Sequence, residues 1–139
     1  MKIETKKFGT LDVDNNSVIE FPSGLVGFEN CHRFALIKNE EFDPFCWLVS
    51  LEGEEITFPI LSPQLVYPEF STALTTYPVA DDQFLENTSG DVFCVVNING
   101  NKGRFTINLK SPILINFEQK TGRQLVLDSE ELVIDQPVW

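Results

Sequence analysis

Apolar residues in this chain come in short runs of strand length, and each run is stopped by glycine, proline, asparagine or aspartate. FCWLVSL (45–51) is continuously apolar and rich in aromatic and β-branched residues, and ITFPIL (56–61) repeats the pattern after EGEE. Such runs, four to eight residues long and bounded by turn signals, read as strands rather than helices. Many of them in one chain predict an all-β sandwich or barrel.

Two hairpins are explicit. DVFCVVNI (91–98) faces RFTINL (104–109) across NGNKG, whose glycines supply the positive φ a tight turn needs. PILINF (112–117) faces RQLVL (123–127) across EQKTG. Val18 to Phe21 is a short apolar strand, and RFALIK (33–38) alternates Phe34 and Leu36 with Arg33 and Ala35. IETKKFGTLDVD carries period-two features near Phe8 and Gly9. Pro59 lacks a donor, so the strand 56–61 is expected at an edge or a bulge. Prolines 63, 68 and 78 break any strand between 62 and 91, where DDQFLE (81–86) suits a helical turn or two capped by Asp81.

At 139 residues the chain has enough mass for one core, and residues 1–139 are expected to form a single domain. No apolar run reaches membrane-spanning length. MKIETKKFGT has no apolar segment after its lysines, so no secretory signal is read and a cytoplasmic location is expected. The three cysteines, at 31, 46 and 94, show no metal or disulfide spacing and read as free thiols. Cys31 and His32 are adjacent, and in extended chain their side chains point to opposite faces, poorly placed for one site.

Charge is unevenly placed. The formal net charge is −11, and residues 39–101 contain eleven acids and no base. The remainder carries ten of each, so the imbalance lies wholly in the middle. A field of that sign repels nucleic acid and attracts a basic protein surface. A solvated acidic face that aids solubility has the same composition.

Catalytic constellations are missing from the sequence. His32 is the single histidine, there is no G-x-S-x-G elbow, and GLVG lacks both the lysine and the following helix of a phosphate loop. EEFD and EGEE lack the alternation of a calcium loop. No enzyme activity, metal or cofactor is expected. Apolar residues do occupy turns: Leu25, Val26 and Phe28 around Gly24 and Gly27, and Leu65, Val66, Tyr67 and Phe70 in the proline-broken segment. Residues so placed either plug the ends of a barrel or form a patch for a partner.

FGTLDV (8–13), IEFPSGLVGFE (19–29), FALI (34–37), PFCWLVS (44–50), YPEF (67–70), VNIN (96–99), TINLKSPILIN (106–116) and TGRQLVL (121–127) together resemble the flagellar assembly factor FliW family along nearly the whole chain. The F-P-x-G-L-x-G-F and N-L-x-x-P-I-x-I-N runs carry the most weight. The resemblance implies a single antiparallel β-barrel-like domain with short helical insertions and no enzymatic activity. It implies two protein partners, the translational repressor CsrA and flagellin, with no direct nucleic acid and no membrane. Bound to the repressor, such a factor relieves repression of flagellin mRNA translation; bound to flagellin, it is sequestered. The alternative is a general flagellin chaperone or adaptor that does not regulate translation. Candidate partner-binding residues are the loop apolars Leu25, Phe28, Tyr67 and Phe70 and the acids Glu52, Glu54, Glu55 and Glu69.

Overall fold

The computed structural model describes residues 2–6, 9–38, 40–52, 56–70, 90–99, 104–127 and 132–138. The strands run in chain order as β1 (Lys2–Thr5), β2 (Gly9–Asp12), β3 (Val18–Glu20), β4 (Arg33–Lys38), β5 (Cys46–Ser50), β6 (Thr57–Leu61), β7 (Gly90–Asn99), β8 (Arg104–Ile107), β9 (Ile113–Asn116), β10 (Thr121–Gln124) and β11 (Gln136–Pro137). Short 3₁₀ turns at Asn15–Ser17, Glu40–Phe42 and Pro63–Leu65 supply short helical insertions. The expected helix at 81–86 and residues 100–103 of the NGNKG turn lie outside the described residues.

β1 and β2 form a separate hairpin. β3, β4, β5, β6, β7, β9 and β10 form a barrel that closes through the pairings of β9 with β7 and of β10 with β3. Every pairing is antiparallel except the last, a parallel contact at the single position Thr121 opposite Glu20. The all-β barrel expectation holds, with that one parallel seam making the sheet mixed.

Both expected hairpins form. β7 meets β8 with Asn99 opposite Arg104, and β9 meets β10 with Asn116 opposite Thr121. The second turn is tighter than EQKTG suggested. The buried Asn116 side chain accepts the N–H groups of Glu118 and Gln119, each at 3.0 Å, and Lys120 takes φ 58°, so pairing resumes at Thr121. An Asn side chain that bonds backbone two residues on closes a turn by itself.

The expectation for Pro59 is corrected, because β6 lies inside the sheet between β5 and β7. Ser50 donates its N–H to Ile56 O at 2.9 Å, so even-numbered residues of β6 turn their backbone groups to β5 and Pro59 turns toward β7. The ladder to β7 begins only at Ile60. Pro59 thus turns its donor-free nitrogen toward β7, and the pairing of β6 with β7 covers only Ile60 and Leu61.

Burial explains the continuous apolar runs. Ile60, Phe93, Ile113 and Ile115 belong to a cluster inside the barrel with Ile19, Phe21, Phe34 and Leu48. Their chain neighbours Leu61, Cys94 and Leu114 belong to a second cluster with Phe70, Leu109, Leu125, Leu127 and Leu132. Successive strand residues point to opposite faces, so β6, β7 and β9 are covered on both sides. A strand buried on both faces loses its alternation.

Candidate functional site

The apolar loop between β3 and β4 is built on two glycines with different duties. After Phe21, whose N–H bonds His32 O at 2.7 Å, the chain doubles back: Gly24 donates to Phe21 O at 2.9 Å, Phe28 donates to Leu25 O at 2.7 Å, and Cys31 donates to Phe28 O at 3.1 Å. Leu25 to Phe28 is a tight turn with Gly27 at its third position, φ 86°, the positive value a type II turn demands there. Gly24, at φ 67°, has no room either: a Cβ would sit 2.6 Å from Glu29 Cα and 2.7 Å from the carbonyl oxygens of Phe28 and Glu29.

This turn caps one mouth of the barrel. Leu25 is 3% exposed and packs in the interior cluster, whereas Val26 at the tip is 58% exposed. Phe28 is half-buried and meets Phe58 edge-on, ring centroids 5.4 Å apart. Of the two roles open to these residues, Leu25 is a plug, and Val26 points away from it. The Gln124 side chain ties the cap down: its Oε1 accepts the Val26 N–H at 2.8 Å, and its Nε2 donates to Ser111 O at 3.1 Å. Beside that tie lies an open cleft of about 610 Å³ between Pro22–Val26 and Thr121–Gln124, and on its other side a smaller one of about 210 Å³ reaches Phe58, Val95 and Asn97.

The remaining predicted residues divide into two places. Glu52 joins the capping loop: its carboxylate accepts the His32 N–H at 2.8 Å, with His32 Nδ1 at 4.0 Å, and its carbonyl lies 3.7 Å from Cys31 Sγ. Cys31 is buried and His32 exposed, as the opposite-face reading requires. Tyr67 and Phe70 pack on the second cluster, away from Leu25 and Phe28, and Phe70 is 0% exposed. Glu69 is exposed between them. Glu54 and Glu55 lie outside the described residues. The members of the set with exposed surface are thus Phe28, Glu52, Tyr67 and Glu69, while Leu25 and Phe70 are buried.

Sequence reading missed Gln124 and Val126. Gln124 is a polar residue in the run RQLVL; Val126 is 67% exposed in the same run. Their even parity beside Leu125 and Leu127 was the available signal.

Among the described residues no group of three or more His, Cys, Asp or Glu is arranged to hold a metal, and no helix is long and apolar enough to cross a membrane. Burial pushes the Cys94 thiol up to about 12, and burial also raises Cys46, partly countered by Lys38. Because the thiolate is the nucleophile, Cys94 is expected to resist iodoacetamide at pH 8 in the native protein and to react fully in 6 M guanidinium, a concentration of ordinary denaturing strength (~6 M). Mass-spectrometric counting of adducts checks this; rapid native labelling of Cys94 would contradict the packing.

Comparison with known proteins agrees with the architecture. The model of the family described as "FliW protein" matches residues 2–138. The "Flagellar assembly factor FliW" of Bdellovibrio bacteriovorus is 34% identical over 142 aligned residues, covering 100% of this chain and 79% of that protein. Its counterpart in Clostridium tetani is 34% identical over 139 residues, covering 100% and 96%. A solved structure, "Crystal structure of the flagellar assembly factor FliW", superposes with a TM-score of 0.80 at 22% identity, covering 100% of this chain and 97% of that one, a likeness of fold. A family match from the first described strand to the last, on a barrel of the same shape, makes this chain a member of the FliW family.

Proposed function

We propose that this chain is a cytoplasmic, non-enzymatic flagellar assembly factor that binds the translational repressor CsrA, relieves repression of flagellin mRNA translation, and is sequestered by flagellin. The observation that carries the reading is family membership over residues 2–138, together with full-length relatives named flagellar assembly factors. The acidic middle supports a basic partner: eleven acids and no base between residues 39 and 101 favour encounter with a cationic protein and disfavour RNA. Phe28, Glu52, Tyr67 and Glu69 are the proposed contact residues, with Glu54 and Glu55 beside them in sequence and Leu25 and Phe70 as supports.

A switch of this kind needs negative coupling, since a ligand with no differential effect on the other's binding shifts nothing. Titrating purified flagellin into a preformed complex of this chain with the repressor is expected to weaken the complex at least ~5-fold. Binding of flagellin with no measurable affinity for the repressor would instead identify a flagellin chaperone or adaptor.

The charge contribution has its own test. Replacing Glu52, Glu54, Glu55 and Glu69 by glutamine is expected to slow association with the repressor by roughly 10-fold at low salt and to flatten its salt dependence. Stopped-flow association at several ionic strengths measures both, and an unchanged low-salt on-rate removes the acidic surface from the mechanism.

A further inference from the structure

The turn at the barrel mouth is held by side chains at both of its central positions. In such a turn the N–H groups of the two central residues find no acceptor within the turn, because the closing bond uses the N–H of the fourth residue. Here the closing bond runs from Phe28 N–H to Leu25 O, which leaves the N–H groups of Val26 and Gly27. Glu29 Oε1 takes that of Gly27 at 3.2 Å, and Gln124 Oε1 takes that of Val26 at 2.8 Å.

The two acceptors have different effects. Glu29 lies two residues from the donor it serves, so it moves with the turn and fixes only its internal shape. Gln124 lies on β10, 98 positions away, so its bond ties the turn to the barrel wall. Its own amide is fixed in turn, because Nε2 donates to Ser111 O at 3.1 Å. Turning the amide over would set donor against donor at Val26 and acceptor against acceptor at Ser111. Leu25 seats the turn by burial, which is non-directional, whereas a hydrogen bond constrains angle as well as distance. At the end of the loop the Glu52 carboxylate accepts the His32 N–H at 2.8 Å. The loop therefore links Phe28, at the fourth position of the turn, to Glu52, and both are proposed contact residues.

We infer that Gln124 is a positioning residue for the complex with the repressor. It acts through the capping loop, holding it at the angle that presents Phe28 and Glu52 together. This role rests on the proposed function and adds to it a residue outside the contact set. A loop already fixed in its bound geometry loses less conformational freedom on association. Such pre-organisation appears mainly as slower dissociation, whereas the surface acids act on encounter.

The test uses the whole chain and two substitutions that remove one bond from opposite ends. Gln124→Met keeps the side-chain length and removes the acceptor; Val26→Pro removes the donor, at a turn position that suits proline. In Q124M the Val26 amide is expected to exchange with solvent at least ~10-fold faster than in the unaltered protein, with the Leu114 and Ile115 amides of β9 unchanged. The Q124M complex with purified repressor should dissociate at least ~5-fold faster and form at an unchanged rate. V26P should also dissociate faster, and the double variant no faster than the faster single, because one bond cannot be lost twice. Unchanged Val26 exchange, unchanged dissociation of Q124M, an effect confined to association, or multiplying effects of the two substitutions would each overturn the positioning role. If the unaltered protein forms no complex with the repressor, the proposed function itself falls and this role with it. A complex that Q124M holds as long as the unaltered protein does removes the positioning role alone.

Discussion

Gly24→Ala is expected to destabilise the protein by ~3 kcal/mol, whereas Gly27→Ala, three residues on in the same loop, costs only ~1 kcal/mol. Both glycines have positive φ, 67° and 86°, so both substitutions carry the left-handed penalty. They differ in what a methyl group would meet. At Gly24 it meets backbone, Glu29 Cα at 2.6 Å and two carbonyl oxygens at 2.7 Å; at Gly27 nothing lies within 4 Å. Backbone cannot swing aside as a side-chain tip can, so the loop must shift and carry Leu25 out of the barrel mouth. Urea unfolding of the two variants measures the difference, and equal midpoints would refute the assignment of Gly24 as the sterically closed position.

Gly122→Ala is expected to cost ~3 kcal/mol by a different route. Gly122 lies on β10 with its missing side chain aimed at Phe21, and a Cβ would fall 2.4 Å from Cε1 and 2.6 Å from Cζ of that ring. Phe21 is fully buried and meets Phe34 edge-on at 5.4 Å, so it has no free volume into which to move. Phe21→Leu removes the obstructing ring edge and should cost ~2 kcal/mol alone through lost packing. The double variant is expected to be at least ~1 kcal/mol more stable than the sum of the singles predicts. Strict additivity in the thermodynamic cycle would show that the ring is not what excludes the methyl group.

These two positions mark where sequence reading reached its limit. In TGRQLVL, Gly122 reads as a turn residue, because a glycine next to a strand run usually ends it. The structure makes it a strand residue whose absent side chain accommodates a ring about one hundred positions earlier in the chain, a relation with no local signature. Gly24 and Gly27 were legible as a sharp turn, yet the pattern G-x-x-G is symmetric, and only the approach of Glu29 separates them. Leu25 and Phe70, both quoted from apolar turns, proved buried, while Val26, one residue from Leu25, faces solvent. Composition cannot divide neighbours in a turn, where the two-residue period of a strand does not apply.

What the sequence determined by itself was the class of structure and the kinship. Runs of four to eight apolar residues with Gly, Pro and Asn between them leave few choices but short strands, and the order of F-P-x-G-L-x-G-F and N-L-x-x-P-I-x-I-N identified the FliW family before any coordinates. It also located the acidic middle, since charge is counted without knowing the fold. Tertiary structure alone decided which strands are covered on both faces, toward which neighbour Pro59 turns its missing donor, and that the barrel closes on one parallel contact with a cleft beside it. Each of these depends on the register between segments distant in the chain. Local preferences act over a turn or a strand, whereas register is set by the burial of both clusters at once, a quantity that exists only when all the strands are in place.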